Sequence, residues 1–110
     1  MTDDDELADR VRAALSGADE RRMFGGLAFL LDGRLAVAVS GRGLMLRTDP
    51  AETGRLLTDP SAEQVVMRGR DMPGWLRVAP AGLTSDAALR AWVDTAVAYV
   101  RTLPTKGERR

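Results

Sequence analysis

The 110-residue chain contains no cysteine and no histidine. Without cysteine there are no disulfides, no thiolate nucleophile and no zinc–thiolate centre, which fits a reducing cytoplasm. Without histidine the commonest general base, the Ser-His-Asp arrangement and the commonest transition-metal ligand are all excluded. Aromatic residues make up 5% of the chain, too few to interleave with its arginines as a stacking platform for bases. Neither sign of charge is in excess, with 16 basic and 16 acidic residues, so no global field points to nucleic acid or to an anionic membrane. No apolar run approaches bilayer length, and Met1-Thr2-Asp3-Asp4-Asp5-Glu6 is acidic where a secretory leader needs positive charge. The expectation is a cytoplasmic protein with no membrane partner, folded as one domain over residues 1–104 and ending in a mobile polar tail over 105–110.

What is present is organised around a hairpin. Asp32-Gly33 separates the apolar run Leu27 to Leu31 from Leu35 to Val39. Asp-Gly is suited to a two-residue turn that needs positive φ at both central positions. Gly25 and Gly26 stand at the entrance of the first run, where they predict a bulge or the close approach of another backbone or a ligand. Leu7, Ala8, Val11, Ala14 and Leu15 keep helical spacing ahead of the hairpin, and this helix is expected to end near Gly17. Ser40-Gly41-Arg42-Gly43 makes a turn into a third strand, Leu44 to Arg47.

Asp49-Pro50-Ala51-Glu52 carries a cap, a proline at the first helical position and an acid three residues past the cap, so a short helix begins there. Asp59-Pro60 stops it. Ala62 to Arg68 and Trp75 to Ala79 read as strands on either side of a Gly69–Gly74 loop. Thr84, Ser85 or Asp86 can cap a final helix, whose apolar positions run from Leu89 through Trp92, Val93 and Ala96 to Val100 and Leu103, with Pro104 as terminator. Short connections favour antiparallel pairing. The fold class is therefore α+β, a two-layer sandwich in α-β-β-β-α-β-β-α order with helices on one face of an antiparallel sheet.

Few residues point to chemistry. Gly41-Arg42-Gly43 lies between strands and opens no helix, so it is a turn and not a dinucleotide fingerprint. Asp3-Asp4-Asp5 is too local and too terminal to cage a metal, and no cofactor is expected. Nothing assembles a base, a nucleophile and an oxyanion site, which argues against an enzyme.

The arginines supply nearly all the positive charge, and Arg22, Arg34, Arg42, Arg47, Arg68, Arg70 and Arg77 fall on or beside strands. They give a second reading, nucleic-acid binding, against which stands the frequency with which such arginines are solvated or paired to carboxylates. The methionines Met23, Met45, Met67 and Met72 suit an adaptable surface or, more often, gaps in a core. Trp75 follows a glycine loop and fits either a contact anchor or, as favoured here, the core.

Alternation supplies the sharper expectation. With Leu27, Phe29, Leu35, Val37, Val39, Leu44 and Leu46 directed to the helices, Ala28, Leu30, Ala36, Ala38, Met45, Arg47 and Arg77 face the other way. That makes a lean apolar surface fringed by arginine, expected to dock a protein partner or a second copy of the chain.

The segment Arg22-Met23-Phe24-Gly25-Gly26, the Asp32-Gly33 hairpin, Gly69-Arg70-Asp71-Met72-Pro73-Gly74-Trp75 and the Leu89 to Val93 helix together resemble the TfoX/Sxy N-terminal domain family in its short stand-alone form. The resemblance covers about Arg21 to Lys106. It implies a fold like that of type III secretion chaperones and a link to regulation of competence or transcription. It supplies no catalytic residues. Longer members carry a second, C-terminal domain that this sequence does not contain. Arg22, Met23, Phe24, Gly25, Gly26, Arg70 and Trp75 therefore join the open-face residues as candidate contact positions.

Overall fold

The computed structural model describes residues 3–23 and 25–103. Phe24, Pro104 and the tail at 105–110 lie outside the described residues. The elements are α1 (Asp3–Ala14), β1 (Asp19–Met23), β2 (Gly26–Leu31), β3 (Arg34–Ser40), β4 (Gly43–Arg47), α2 (Thr53–Leu56), β5 (Ala62–Met67), β6 (Arg70–Val78) and α3 (Asp86–Val100), with 3-10 turns at Pro50–Glu52 and Pro80–Leu83. The six strands form one sheet in the order β1-β2-β3-β4-β6-β5, every neighbour antiparallel.

The α+β class stands, with one strand more than the sequence displays. Asp19 to Met23 holds no run of apolar residues, yet it pairs with β2 from Asp19 opposite Leu30 to Met23 opposite Gly26. β1 is an edge strand exposed along most of its length, so its charges cost little desolvation and discourage further pairing.

Local signals act where the sequence puts them. Asp32 and Gly33 have φ of 52° and 81°, as a two-residue hairpin turn requires. Gly26 is forced by proximity. A Cβ there would sit 1.8 Å from the Val39 carbonyl oxygen on β3, so the predicted close backbone approach is real. The Asp49 carboxylate accepts from the Ala51 N–H at 2.9 Å, and the Ser85 hydroxyl accepts from the Ala88 N–H at 3.0 Å, capping the 3-10 turn and α3.

The helices cover one face of the sheet. Leu7, Val11 and Leu15 of α1, Leu56 of α2, and Leu89, Trp92, Val93 and Ala96 of α3 pack with Phe29, Val37, Val39, Leu44, Leu46, Leu76 and Val78 in the main core. The opposite face carries a second apolar cluster containing no helical residue. It consists of buried Ala28, Leu30, Ala38, Met45 and Val65, with half-buried Met23, Leu35, Met67, Met72 and Trp75 packed around them.

Two irregularities decide which residues reach that second cluster. Phe29 pairs with Val37 but Leu30 pairs with Leu35, so Ala36 is an extra residue in β3. One extra residue reverses the alternation beyond it. Leu35, expected beneath the helices, consequently packs on the open face opposite Leu30. The second irregularity lies in β6, where Val66 pairs with Asp71 but Gln64 pairs with Leu76, so Met72 to Trp75 kink out of the ladder. The Gly69–Gly74 loop read from the sequence is thus a tight turn at Arg68-Gly69 followed by a strand with this kink inside it.

Candidate functional site

On the open face an apolar cluster lies beside Arg47 and Arg77, and its geometry starts from the β6 kink. Gly74 has φ of 82°, and a Cβ there would sit 2.7 Å from the Thr48 carbonyl oxygen. The Gly74 carbonyl in turn accepts from the Thr48 N–H at 2.6 Å and from its hydroxyl at 3.3 Å, although Thr48 is buried. On the other side of the kink the Gln64 amide donates to the carbonyls of Met72 at 2.6 Å and Trp75 at 3.1 Å, and lies 3.2 Å from that of Val65. These bonds replace ladder bonds that the kink removes. They hold Met72 and Trp75 outward over the sheet.

Met72 and Trp75 then combine with Met45, Val65 and Met67 to line a partly open cavity of about 180 Å³ with wholly apolar walls. The strand register adds charge at its border. Met45 is opposite Arg77, and Arg47 is opposite Trp75, so two arginines and two large apolar residues alternate on the same patch. The Arg47 guanidinium carbon lies 5.5 Å from the Trp75 ring centroid and 5.9 Å from that of Tyr99 on α3. Arg77 meets the Glu63 carboxylate at 4.0 Å. Arg47 has no carboxylate within ion-pair distance among the described residues.

The other expected contact residues fall differently. Ala38 and Met45 do lie on the face away from the helices, but they are 5% and 6% exposed, and the bulge residue Ala36 is fully buried. The expectation of an open alanine surface is therefore corrected. The larger side chains at its margins, Met23, Leu35, Met67, Met72 and Trp75, pack over the alanines and themselves form the accessible apolar surface. Trp75, expected in the core, is half-buried in this cluster and walls the cavity. Met23 is half-buried in the cluster, Gly25 sits exposed in the β1–β2 turn with φ of 73°, and Gly26 packs against β3.

The arginines do not converge. Arg22, on the β1 edge, and Arg77, on β6, are separated by four strand spacings, roughly 19 Å. Arg42 and Arg70 are exposed at different turns. Arg47 and Arg77 lie diagonally across the β4–β6 pair on the open-face patch. Arg12, which the sequence did not single out, ties α1 to β1: it donates to both Glu20 oxygens at 2.8 Å and to Asp9 at 2.6 Å. Its hydrogen bonds hold the Glu20 carboxyl below the usual glutamate range. Gln64 was also missed, since one glutamine in a β-prone run carries no signal of what its amide will meet.

A larger hollow of about 320 Å³ lies at the other end of the molecule, lined in part by Glu6, Arg10, Ser40 and Thr84. There the Ser40 hydroxyl accepts from the Arg42 N–H at 3.2 Å, and Arg10 is engaged with Asp86 at 3.1 Å. No hydrogen bond joins Ser40 or Thr84 to a carboxylate among the described residues, and no group of three metal-ligating side chains gathers among them. No described helix is long and apolar enough to cross a membrane.

No curated protein and no solved structure matches the chain. The family profile described as the TfoX N-terminal domain matches residues 10–100. That span runs from within α1 to the end of α3 and takes in both apolar clusters, the β6 kink and the arginine pair. The chain belongs to the TfoX N-terminal domain family.

Proposed function

We propose that the protein is a non-enzymatic regulatory module that acts by holding a protein partner against the open face of its sheet. The observation that carries this reading is the second apolar cluster. A sheet covered by helices on one side needs only one hydrophobic face to fold, yet here the other face also buries five apolar side chains and leaves five more half-buried, with Arg47 and Arg77 beside them. Apolar surface of that kind, rimmed by polar groups, is typical of contact sites. Membership of the TfoX N-terminal domain family supports a regulatory setting, with control of competence or of transcription as its finer form.

The dispersed arginines favour a protein partner over nucleic acid, because among the described residues Arg22 and Arg77 lie four strands apart and Arg42 and Arg70 are exposed at separate ends of strands, instead of following one phosphate backbone. The test is capture from native-host lysate with the purified chain and with a Leu35→Asp variant, which places a charge on the open face away from the cavity. A partner retained by the unaltered chain and lost by a folded Leu35→Asp supports the reading. Equal recovery by both chains, or tight binding to DNA or RNA at low salt, sinks it. Transcript profiling after deletion of the gene tests the finer role, which predicts altered expression of DNA-uptake genes.

A further inference from the structure

Resting on the reading of the open face as a protein-contact surface, we infer that the cavity beside Trp75 receives one bulky apolar side chain of an acidic partner segment, whose carboxylate pairs with Arg47.

Size restricts the occupant first. The cavity measures about 180 Å³. An apolar cavity of about 150 Å³ is enough to take up benzene, whereas small-molecule and cofactor sites begin at roughly 300 Å³. A leucine or phenylalanine side chain fits, and a nucleotide or a larger cofactor does not. The walls agree with that occupant. They contain no polar group to orient a polar ligand, and three of the five lining residues are methionines, whose unbranched thioethers adjust to differing apolar shapes.

Charge then restricts what flanks the anchor. Arg47 is held by the Trp75 and Tyr99 rings through contacts that engage its charge but use none of its five N–H donors. It is half-buried, so part of its hydration is already lost, and no carboxylate within the described residues compensates it. The guanidinium geometry matches a carboxylate with two parallel hydrogen bonds. Arg77, on the same patch, has only the 4.0 Å approach of Glu63. A segment with acids beside its apolar anchor satisfies the cavity and both cations together. A basic segment leaves the arginines opposed by like charge.

The probe is a short synthetic peptide carrying Leu-Phe flanked by aspartates, titrated into protein labelled with ¹³C on the methionine methyls. The Met45, Met67 and Met72 signals should shift and saturate. Met23, in the same cluster but outside the cavity, should stay in place. Arg47→Gln should weaken binding roughly fivefold, as expected for one charge-assisted contact at a partly exposed site. The same peptide flanked by lysines should bind more weakly than the aspartate form.

The inference is overturned by shifts confined to Met23, by no shift at all, or by equal affinity for the two peptides. It is also overturned if the same three methyls shift with protein concentration when no peptide is present, because a second copy then fills the cavity. The methyl map needs no substitution, so it remains decisive even where Arg47→Gln fails to fold. Failure here removes the cavity as the anchor site, while the open-face reading stands or falls separately on the Leu35→Asp capture.

Discussion

Three single residues fix geometry that their neighbours depend on. Gly26 permits β2 and β3 to approach, since any side chain there meets the Val39 carbonyl. Gly26→Ala should cost about 3 kcal/mol through overpacking against backbone that has no room to shift, read as a lowered urea midpoint. Ala36 reverses the strand's faces by being one residue too many, and Gln64 supplies the amide bonded to the kink's carbonyls. The glycine pair is legible in the sequence, because a strand entrance ordinarily carries side chains that pack: Gly26 marks a place with no room for one, and Gly25 a turn with φ of 73°. Ala36 is not, because a bulge is defined by the partner strand's register, and an alanine inside an alternating run looks like every other alanine.

At the scale of elements, the two edges of the sheet are handled differently. β1 is an edge of charges, fastened to α1 by Arg12 and Glu20. Because Arg12 lowers the native Glu20 pKa, this tie contributes stability above the ordinary glutamate range and loses it as pH falls through the lowered native value. Glu20→Gln should therefore flatten the acid arm of the stability profile, with urea midpoints compared between about pH 6 and pH 3 as the measurement. An unchanged acid arm would mean that the tie contributes nothing. β5 is the other edge and exposes Val66, at 55%, beyond the kinked strand beside it. The helices were readable by their caps and periodicity, as Ser85 and the Leu89 to Val100 stripe show. The β1 strand was not, because its pairing is enforced by β2 and by Arg12 instead of by any apolar alternation of its own.

For the molecule as a whole, the consequence is a sheet with a core on each side. The two cores share every central strand, so they should unfold together in one cooperative transition. Leu46→Ala, fully buried under the helices, should cost about 3–5 kcal/mol, and Leu30→Ala, 8% exposed on the open face, about 2–3 kcal/mol. Urea melts followed by tryptophan fluorescence and by far-UV circular dichroism check both values and the shared transition. Separate midpoints for the two probes would show instead that the open-face cluster loosens independently. That outcome would matter for docking, since an independently mobile face orders at a cost when a partner binds.

The amino-acid order alone determined the helices, the main hairpin, the antiparallel α+β class and the side of the sheet that carries Ala28, Ala38 and Met45. These follow from signals within a few residues of one another: caps, turn pairs and apolar period. Tertiary structure decided that the alanines are covered, that Leu35 changes sides and that Trp75, Met67 and Met72 enclose a cavity beside Arg47. Those outcomes depend on strand register, on the extra residue Ala36 in β3 and, for the cavity, on a kink stabilised by Thr48 and Gln64, residues 26 and 8 positions from their partners Gly74 and Met72. Contacts between distant residues, set by how strands slide past one another, leave no periodic trace in the chain that makes them.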